Sequence, residues 1–270
     1  MKATLWRKAL LASATTLLAN GASADMVTHK VAYTVEGQAH EGILVYDGSI
    51  STPRPALLMV PNWMGPTEAA ARKAARVAGD QYVVFVADMY GTDVRPADAR
   101  EAAAAASAVR EDRALQRRRA RAALETLQAQ TRVPVLAGAP GAIGFCFGGG
   151  TVLELARDGA ALTGVVSFHG NLDTPDPDDA KAIQSPVLVL HGADDPFVPA
   201  ADVSAFETEM RDAEVDWQLL SYGGAVHSFT DPDANMPGQA QYHPQVARRA
   251  FAQMNLFFAE QFSSDERASD

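Results

Sequence analysis

The sequence predicts an α/β domain with a mainly parallel central sheet flanked by helices. Three observations carry this. Short apolar runs at Ala56–Val60, Tyr82–Ala87, Leu162–Phe168 and Pro186–Leu190 have the length and composition of strands buried on both faces. Helix-forming stretches lie between them, which implies right-handed crossovers joining parallel strands. Between the second and third of these runs, Gly144-Phe145-Cys146-Phe147-Gly148 has the spacing of a sharp strand-to-helix turn with a nucleophile at its tip. Ligand sites in such sheets lie at the carboxyl ends of the strands, where this turn falls.

The chain has 270 residues, 47% of them hydrophobic, enough for one large core. Its first 24 residues read as an export leader. Lys2, Arg7 and Lys8 form a positive start, Ala9–Ala19 is a short apolar stretch, and Ala22-Ser23-Ala24 is a small-residue cleavage site. The stretch is too short to span a bilayer. Residues 25–270 are therefore expected to form a single domain of an exported, periplasmic protein. Loss of the three leader cations takes the formal charge from −10 to −13. That acidity argues against nucleic acid or anionic lipid as a partner, and the mature protein is not expected to insert in a membrane. Cys146 is the one cysteine. It has no internal disulfide partner, and a free thiol in an oxidising compartment suits a working role better than a packing role.

In chain order, Val27–Val35 and Glu41–Tyr46 read as a hairpin that can supply an antiparallel edge. Ser51–Pro55 is a loop, Ala56–Val60 a buried strand, and Pro61–Pro66 a second loop. Thr67 can cap an alanine-rich helix running to about Ala78. After the strand Tyr82–Ala87, a loop over Asp88–Pro96 carries Tyr90. Asp98–Gln130 is one long helix or two consecutive ones. Its Arg117, Arg118, Arg119 and Arg121 read as a solvated face paired with acids rather than a polyanion site. Ala142–Phe145 leads into the turn at Cys146, and Thr151–Arg157 continues as helix. Leu162–Phe168 and Pro186–Leu190 are strands. The acids of Asp173–Asp179 lack calcium-loop spacing and read as a solvated loop. A helix over Asp202–Asp212, a strand over Val215–Tyr222 and a helix over Pro244–Phe262 complete the domain.

Cys146 has glycine two residues away on each side. A nucleophile at a tight turn needs this, because a side chain at either place would strike the adjacent strand or helix. The helix behind Cys146 directs unpaired N–H groups and its dipole at the sulfur, which favours thiolate. Two later loops on the same edge carry acid–base groups: His191-Gly192-Ala193-Asp194-Asp195-Pro196 and Gly224-Ala225-Val226-His227-Ser228-Phe229. The order nucleophile, acid, histidine suits acyl transfer, in which the histidine moves a proton and the carboxylate holds its tautomer. Spacing alone does not choose between Asp194 and Asp195. The N–H of Phe147, just after the nucleophile, is one candidate oxyanion donor.

On the sequences around Cys146, Asp195 and His227, the chain from about Glu41 to Phe262 resembles the dienelactone hydrolase (carboxymethylenebutenolidase-like) family of the α/β-hydrolase superfamily. The resemblance implies an α/β-hydrolase fold, a Cys146–Asp195–His227 triad and Trp63 as second oxyanion donor, with Asn62 and Tyr90 at the substrate pocket; His169, before Gly170, is a further pocket candidate. It also marks departures. Family members carry a glutamate where this chain has Asn62, and two carboxylate-binding arginines where it has Thr92 and Asp231. Arg95 is the nearby cation that could fill in. The resemblance implies a hydrolase that cleaves a small-molecule ester or lactone through a thioester, and the departures imply a neutral rather than anionic substrate. Acyl transfer to an alcohol or amine, or a non-catalytic thiol sensor, are the alternatives.

No cofactor and no metal is expected: no histidine pair has metal spacing, and Gly148-Gly149-Gly150 lacks the lysine of a phosphate-binding loop. His29 and His40 are expected at the surface, and His191 as a satisfied core residue.

Overall fold

Apolar strands that must bury both faces do so here in one eight-stranded sheet. The structure, a computed structural model, describes residues 25–268, with side chains described to Ser263; the expected leader lies outside the described residues. The strands are β1 (Met26–Val35), β2 (Gln38–Asp47), β3 (Ala56–Val60), β4 (Val83–Val86), β5 (Gly141–Phe145), β6 (Val165–Phe168), β7 (Val187–Gly192) and β8 (Trp217–Tyr222). Their order is β1-β2-β4-β3-β5-β6-β7-β8. The β1–β2 and β2–β4 pairs are antiparallel, and every other pair is parallel. The first hairpin is thus the antiparallel edge.

The helices are α1 (Glu68–Ala78), α2 (Ala99–Glu111), α3 (Arg113–Gln128), α4 (Phe147–Arg157), α5 (Ala200–Asp212) and α6 (Pro244–Ala268). Alternation along each strand feeds two cores. Leu58, Val60 and Phe85 pack with α2–α5, while Leu57, Met59 and Phe145 pack with α1 and α6. Thr67 caps α1, its Oγ1 accepting the Ala70 N–H at 3.3 Å. The long arginine-rich stretch is two helices. Asp98 caps the first through the Glu101 N–H (2.8 Å), and Asp112 breaks the chain and caps the second through the Leu115 N–H (2.8 Å). A short hairpin, β9 (Asn235–Met236) with β10 (Ala240–Gln241), has no signal in the hydrophobic pattern.

The arginine face is paired. Arg117 bonds Glu154 (2.8 Å) and Asp179 (2.6 Å), Arg118 meets Glu36 (3.0 Å), and Arg121 meets Asp158. Arg119 instead serves the Met89 carbonyl and the Gln38 side chain. Beneath this face Arg157 is buried with two acids, bonding Glu209 at 2.7 and 2.8 Å and Glu154 at 2.9 Å. Removing one partner of such a pair leaves a buried charge uncompensated, so Arg157→Ala is expected to cost about 3–5 kcal/mol of stability. Urea unfolding checks this; a loss below about 1 kcal/mol would class the pair with exposed bridges.

Two histidines differ from expectation. His40 is not a surface group: it is buried, its Nδ1 lies 3.0 Å from the Asp88 carbonyl oxygen, and its ring stacks on Tyr33 at 5.2 Å. Antiparallel pairing of β2 inside the sheet puts that side chain inward. His191 is buried in β7 as expected, but its Nδ1 has no hydrogen-bond partner among the described residues. His243 has a structural task, its Nδ1 accepting the Val246 N–H at 3.4 Å in the first turn of α6.

Candidate active site

Cys146 stands between β5 and α4 with φ 55° and ψ −120°, a backbone conformation side chains rarely adopt. The flanking glycines permit it. A Cβ at Gly144 would run into the Gly148 carbonyl, and one at Gly148 into the Val60 carbonyl. The Cys146 N–H is shared between the Phe168 carbonyl (3.1 Å) and His169 Nδ1 (3.2 Å).

His227 faces the sulfur from the loop after β8. Its Nδ1 is 2.8 Å from Asp195 Oδ2, and its side chain hydrogen-bonds Cys146. Asp195 is buried and also accepts the Phe197 N–H at 2.9 Å, whereas Asp194 is exposed. The geometry therefore brings Asp195, and not Asp194, to the histidine. Backbone bonds hold His227 in place: its N–H donates to Gln239 O (3.1 Å), and its carbonyl accepts from Gln241 N–H (3.0 Å). The β9–β10 hairpin thus sets the height of the ring. Phe197 and His169 cover the ring edge-on, each at 5.3 Å.

Charge is concentrated at this pair. Burial penalises the Cys146 thiolate, but the hydrogen bond and charge of His227, with the N–H groups of Phe147 and Trp63, override it and lower the thiol pKa. Burial likewise opposes the imidazolium, yet its hydrogen bonds to Asp195 and Cys146 and the charges of both lift His227 to about 10. The two N–H groups expected to form an oxyanion site therefore both reach the sulfur.

Tyr90 and His169 are both buried and each makes a side-chain hydrogen bond. Tyr90 is 2% exposed and donates its hydroxyl to the Trp63 carbonyl at 2.8 Å, so it positions the loop that carries the Trp63 N–H. His169 is buried behind Cys146. Its Nδ1 accepts from Cys146, so its Nε2 carries the proton and donates to Thr230 Oγ1 at 2.8 Å. Burial, with the charges of His227 and Lys73, keeps it neutral.

Asn62 lines a cavity of ≈530 Å³ together with Met64, Lys73, Phe145, Thr230 and Asp231. Its Oδ1 accepts the Met64 N–H (3.1 Å) and its Nδ2 donates to Asp231 Oδ2 (3.4 Å). Arg95 does not fill in as a pocket cation, because its guanidinium is held by Asp88 at 2.8 Å. Sequence reading missed Lys73. Its signal was position: it falls three residues after Ala70 and four before Val77, both on the buried stripe of α1. Among the described residues no group of three or more His, Cys, Asp or Glu could hold a metal ion. No described helix is long and apolar enough to cross a membrane.

Comparison with known proteins agrees with the fold. The dienelactone hydrolase family profile matches residues 42–262. A dienelactone hydrolase-like promiscuous phosphotriesterase from metagenomic libraries is 42% identical with a TM-score of 0.82, over 88% of this chain and 99% of that one. An uncharacterised Caenorhabditis elegans protein is 35% identical over 129 residues, 46% of this chain and 80% of that protein. A human carboxymethylenebutenolidase homolog is 24% identical over 120 residues, 43% of this chain and 48% of the human one, so that match spans about half of the relative. With an α/β-hydrolase sheet and a family match that runs from β2 into α6, this chain belongs to the dienelactone hydrolase family and is a hydrolase.

Proposed function

We propose that the protein hydrolyses neutral carboxylic esters or lactones through Cys146, His227 and Asp195. The observation that carries this is His227 bridging the Asp195 carboxylate and the Cys146 sulfur, with two N–H groups aimed at the same sulfur. The thiolate attacks the acyl carbon, and the bond to the leaving alcohol breaks. His227 Nε2 gives that alcohol its proton, leaving a thioester on Cys146. Water then attacks the thioester, its proton passes to His227, and the thiolate leaves as the acid is released. The N–H groups of Phe147 and Trp63 stabilise the oxyanion of both steps.

The neutral preference rests on charges that are already satisfied. Arg95 is held by Asp88, Lys73 lies 3.7 Å from Asp231, and Asp231 itself would repel a carboxylate. Two absent charge-assisted hydrogen bonds are worth roughly 1.5–3 kcal/mol each. The kcat/KM for a neutral aryl ester is therefore expected to exceed that for the same ester bearing an acyl carboxylate by roughly two powers of ten. Cys146→Ala should abolish both activities. Comparable turnover of the anionic ester would overturn the substrate class, and turnover by Cys146→Ala would overturn the nucleophile. The metagenomic relative, described as a promiscuous phosphotriesterase, favours a second activity on neutral phosphotriesters. An aryl phosphotriester belongs in the same panel.

A further inference from the structure

We propose that Asp231 is a built-in counter-anion that sets the charge preference of the pocket, and that it masks a latent carboxylate-binding site on Lys73. The proposal deepens the neutral-substrate reading and rests on it for its meaning, though its test does not require ester turnover. Lys73 projects from α1 into the cavity that Asn62, Phe145 and Asp231 also line, with 14% of its side chain exposed. Its ammonium lies 4.6 Å from the centroid of the Phe145 ring, the residue before Cys146. One carboxylate oxygen, Asp231 Oδ2, serves both Lys73 (3.7 Å) and the Asn62 amide (3.4 Å). Asp231 Oδ1 accepts the Asp233 N–H at 3.2 Å, which fixes the carboxylate's direction.

The placement is what gives the pair a role beyond stability. Asp231 follows Thr230, whose hydroxyl holds His169, and His169 in turn accepts the Cys146 N–H. Burial works against the ammonium of Lys73, while the charges of Asp231 and Cys146 favour it, so the lysine lies within electrostatic reach of the reacting sulfur. A substrate carboxylate beside Cys146 would meet the field of a lysine whose charge Asp231 already offsets. Removing that offset leaves a partly buried cation facing the site. Arg72 and Arg76 also line the cavity, but Arg72 is largely exposed near Glu68 (3.9 Å) and Arg76 lies over the Phe251 ring at 4.6 Å.

Two alkylating probes of near-equal size, neutral iodoacetamide and anionic iodoacetate, read the charge at Cys146 directly. In Asp231→Asn the iodoacetate-to-iodoacetamide rate ratio is expected to rise about tenfold at low salt, and the gain should shrink as salt screens it. Asp231→Asn/Lys73→Met should return the ratio to near the wild-type value. Lys73→Met alone should lower it, because Asp231 is then uncompensated; this variant and Asp231→Ser keep the test available if Asp231→Asn does not fold. A ratio unchanged within about twofold in Asp231→Asn, or a rise that survives loss of Lys73, would overturn the proposal. A wild-type enzyme that hydrolyses anionic esters well would instead overturn the neutral-substrate reading, while the alkylation ratio still decides the role of Asp231.

Discussion

Replacing His227 with alanine is expected to lower kcat for ester hydrolysis by about four powers of ten, and Asp195→Ala by a similar or smaller factor. The reason is that three groups act as one. Asp195 Oδ2 holds His227 Nδ1 at 2.8 Å, which leaves the other ring nitrogen for the sulfur and for the leaving group. Without the imidazole the thiol keeps its proton and the alkoxide leaves unprotonated. Without the carboxylate the ring is free to turn and its cation is unsupported. Four powers of ten correspond to about 5.4 kcal/mol of transition-state stabilisation. Independent contributions of that size would make the double variant about eight powers of ten slower. A unit predicts far less: the double variant should lie within about tenfold of His227→Ala alone. Steady-state kinetics on one neutral ester, with the four proteins matched by circular dichroism, decides between them. Asp194→Ala serves as the control and should change kcat little, since that side chain is exposed. A crippled Asp194→Ala with a mild Asp195→Ala would reverse the assignment of the acid.

The parts of this molecule legible in the sequence are those where backbone physics leaves few choices. Strands such as Leu57–Val60 had to be buried on both faces, and Thr67 had to end up at a helix start. The glycines at 144 and 148 mark a tight turn because any side chain there strikes backbone. What could not be read depends on tertiary placement. Asp194 and Asp195 are chemically alike and adjacent; only the Asp195–Phe197 turn, in which Oδ1 accepts the Phe197 N–H, selects which one points inward. The β9–β10 hairpin is too short for any periodicity, yet it fixes the backbone of His227. The loop of Tyr90 is on the edge of the sheet that the sequence points to, but that its hydroxyl holds the Trp63 carbonyl could not be read from it. His40 looked like a hairpin surface group, because nothing local says that β2 is covered on both sides. Lys73 was hidden among the other cations of α1.

Cys146 is expected to alkylate with iodoacetamide at a rate nearly flat from about pH 8 down to 6.5, and His227→Ala to remove that plateau. Two effects oppose each other. Burial pushes the thiol up, whereas the His227 hydrogen bond and charge and the N–H groups of Phe147 and Trp63 pull it down, and the net direction is down. The sign follows: a lowered thiol pKa keeps thiolate present as pH falls through the range where an ordinary thiol, near 8.5, would be protonated. At pH 6 such an ordinary thiol is only about 0.3% thiolate, so a lowered thiol pKa raises the reactive population there. Lower basicity makes the sulfur a weaker nucleophile and gives back about half of each factor of ten, so the net advantage over an ordinary thiol is smaller than the gain in thiolate. In His227→Ala burial has no opposing imidazolium, and the rate should fall tenfold per pH unit throughout the range. The alkaline side gives a second reading. His227 titrates at about 10, so kcat/KM should decline as pH rises through that value, when the proton donor for the leaving group is lost. An alkylation profile that slopes equally in wild type and His227→Ala would show that the imidazole does not ionise the thiol, and the nucleophile would then need another base.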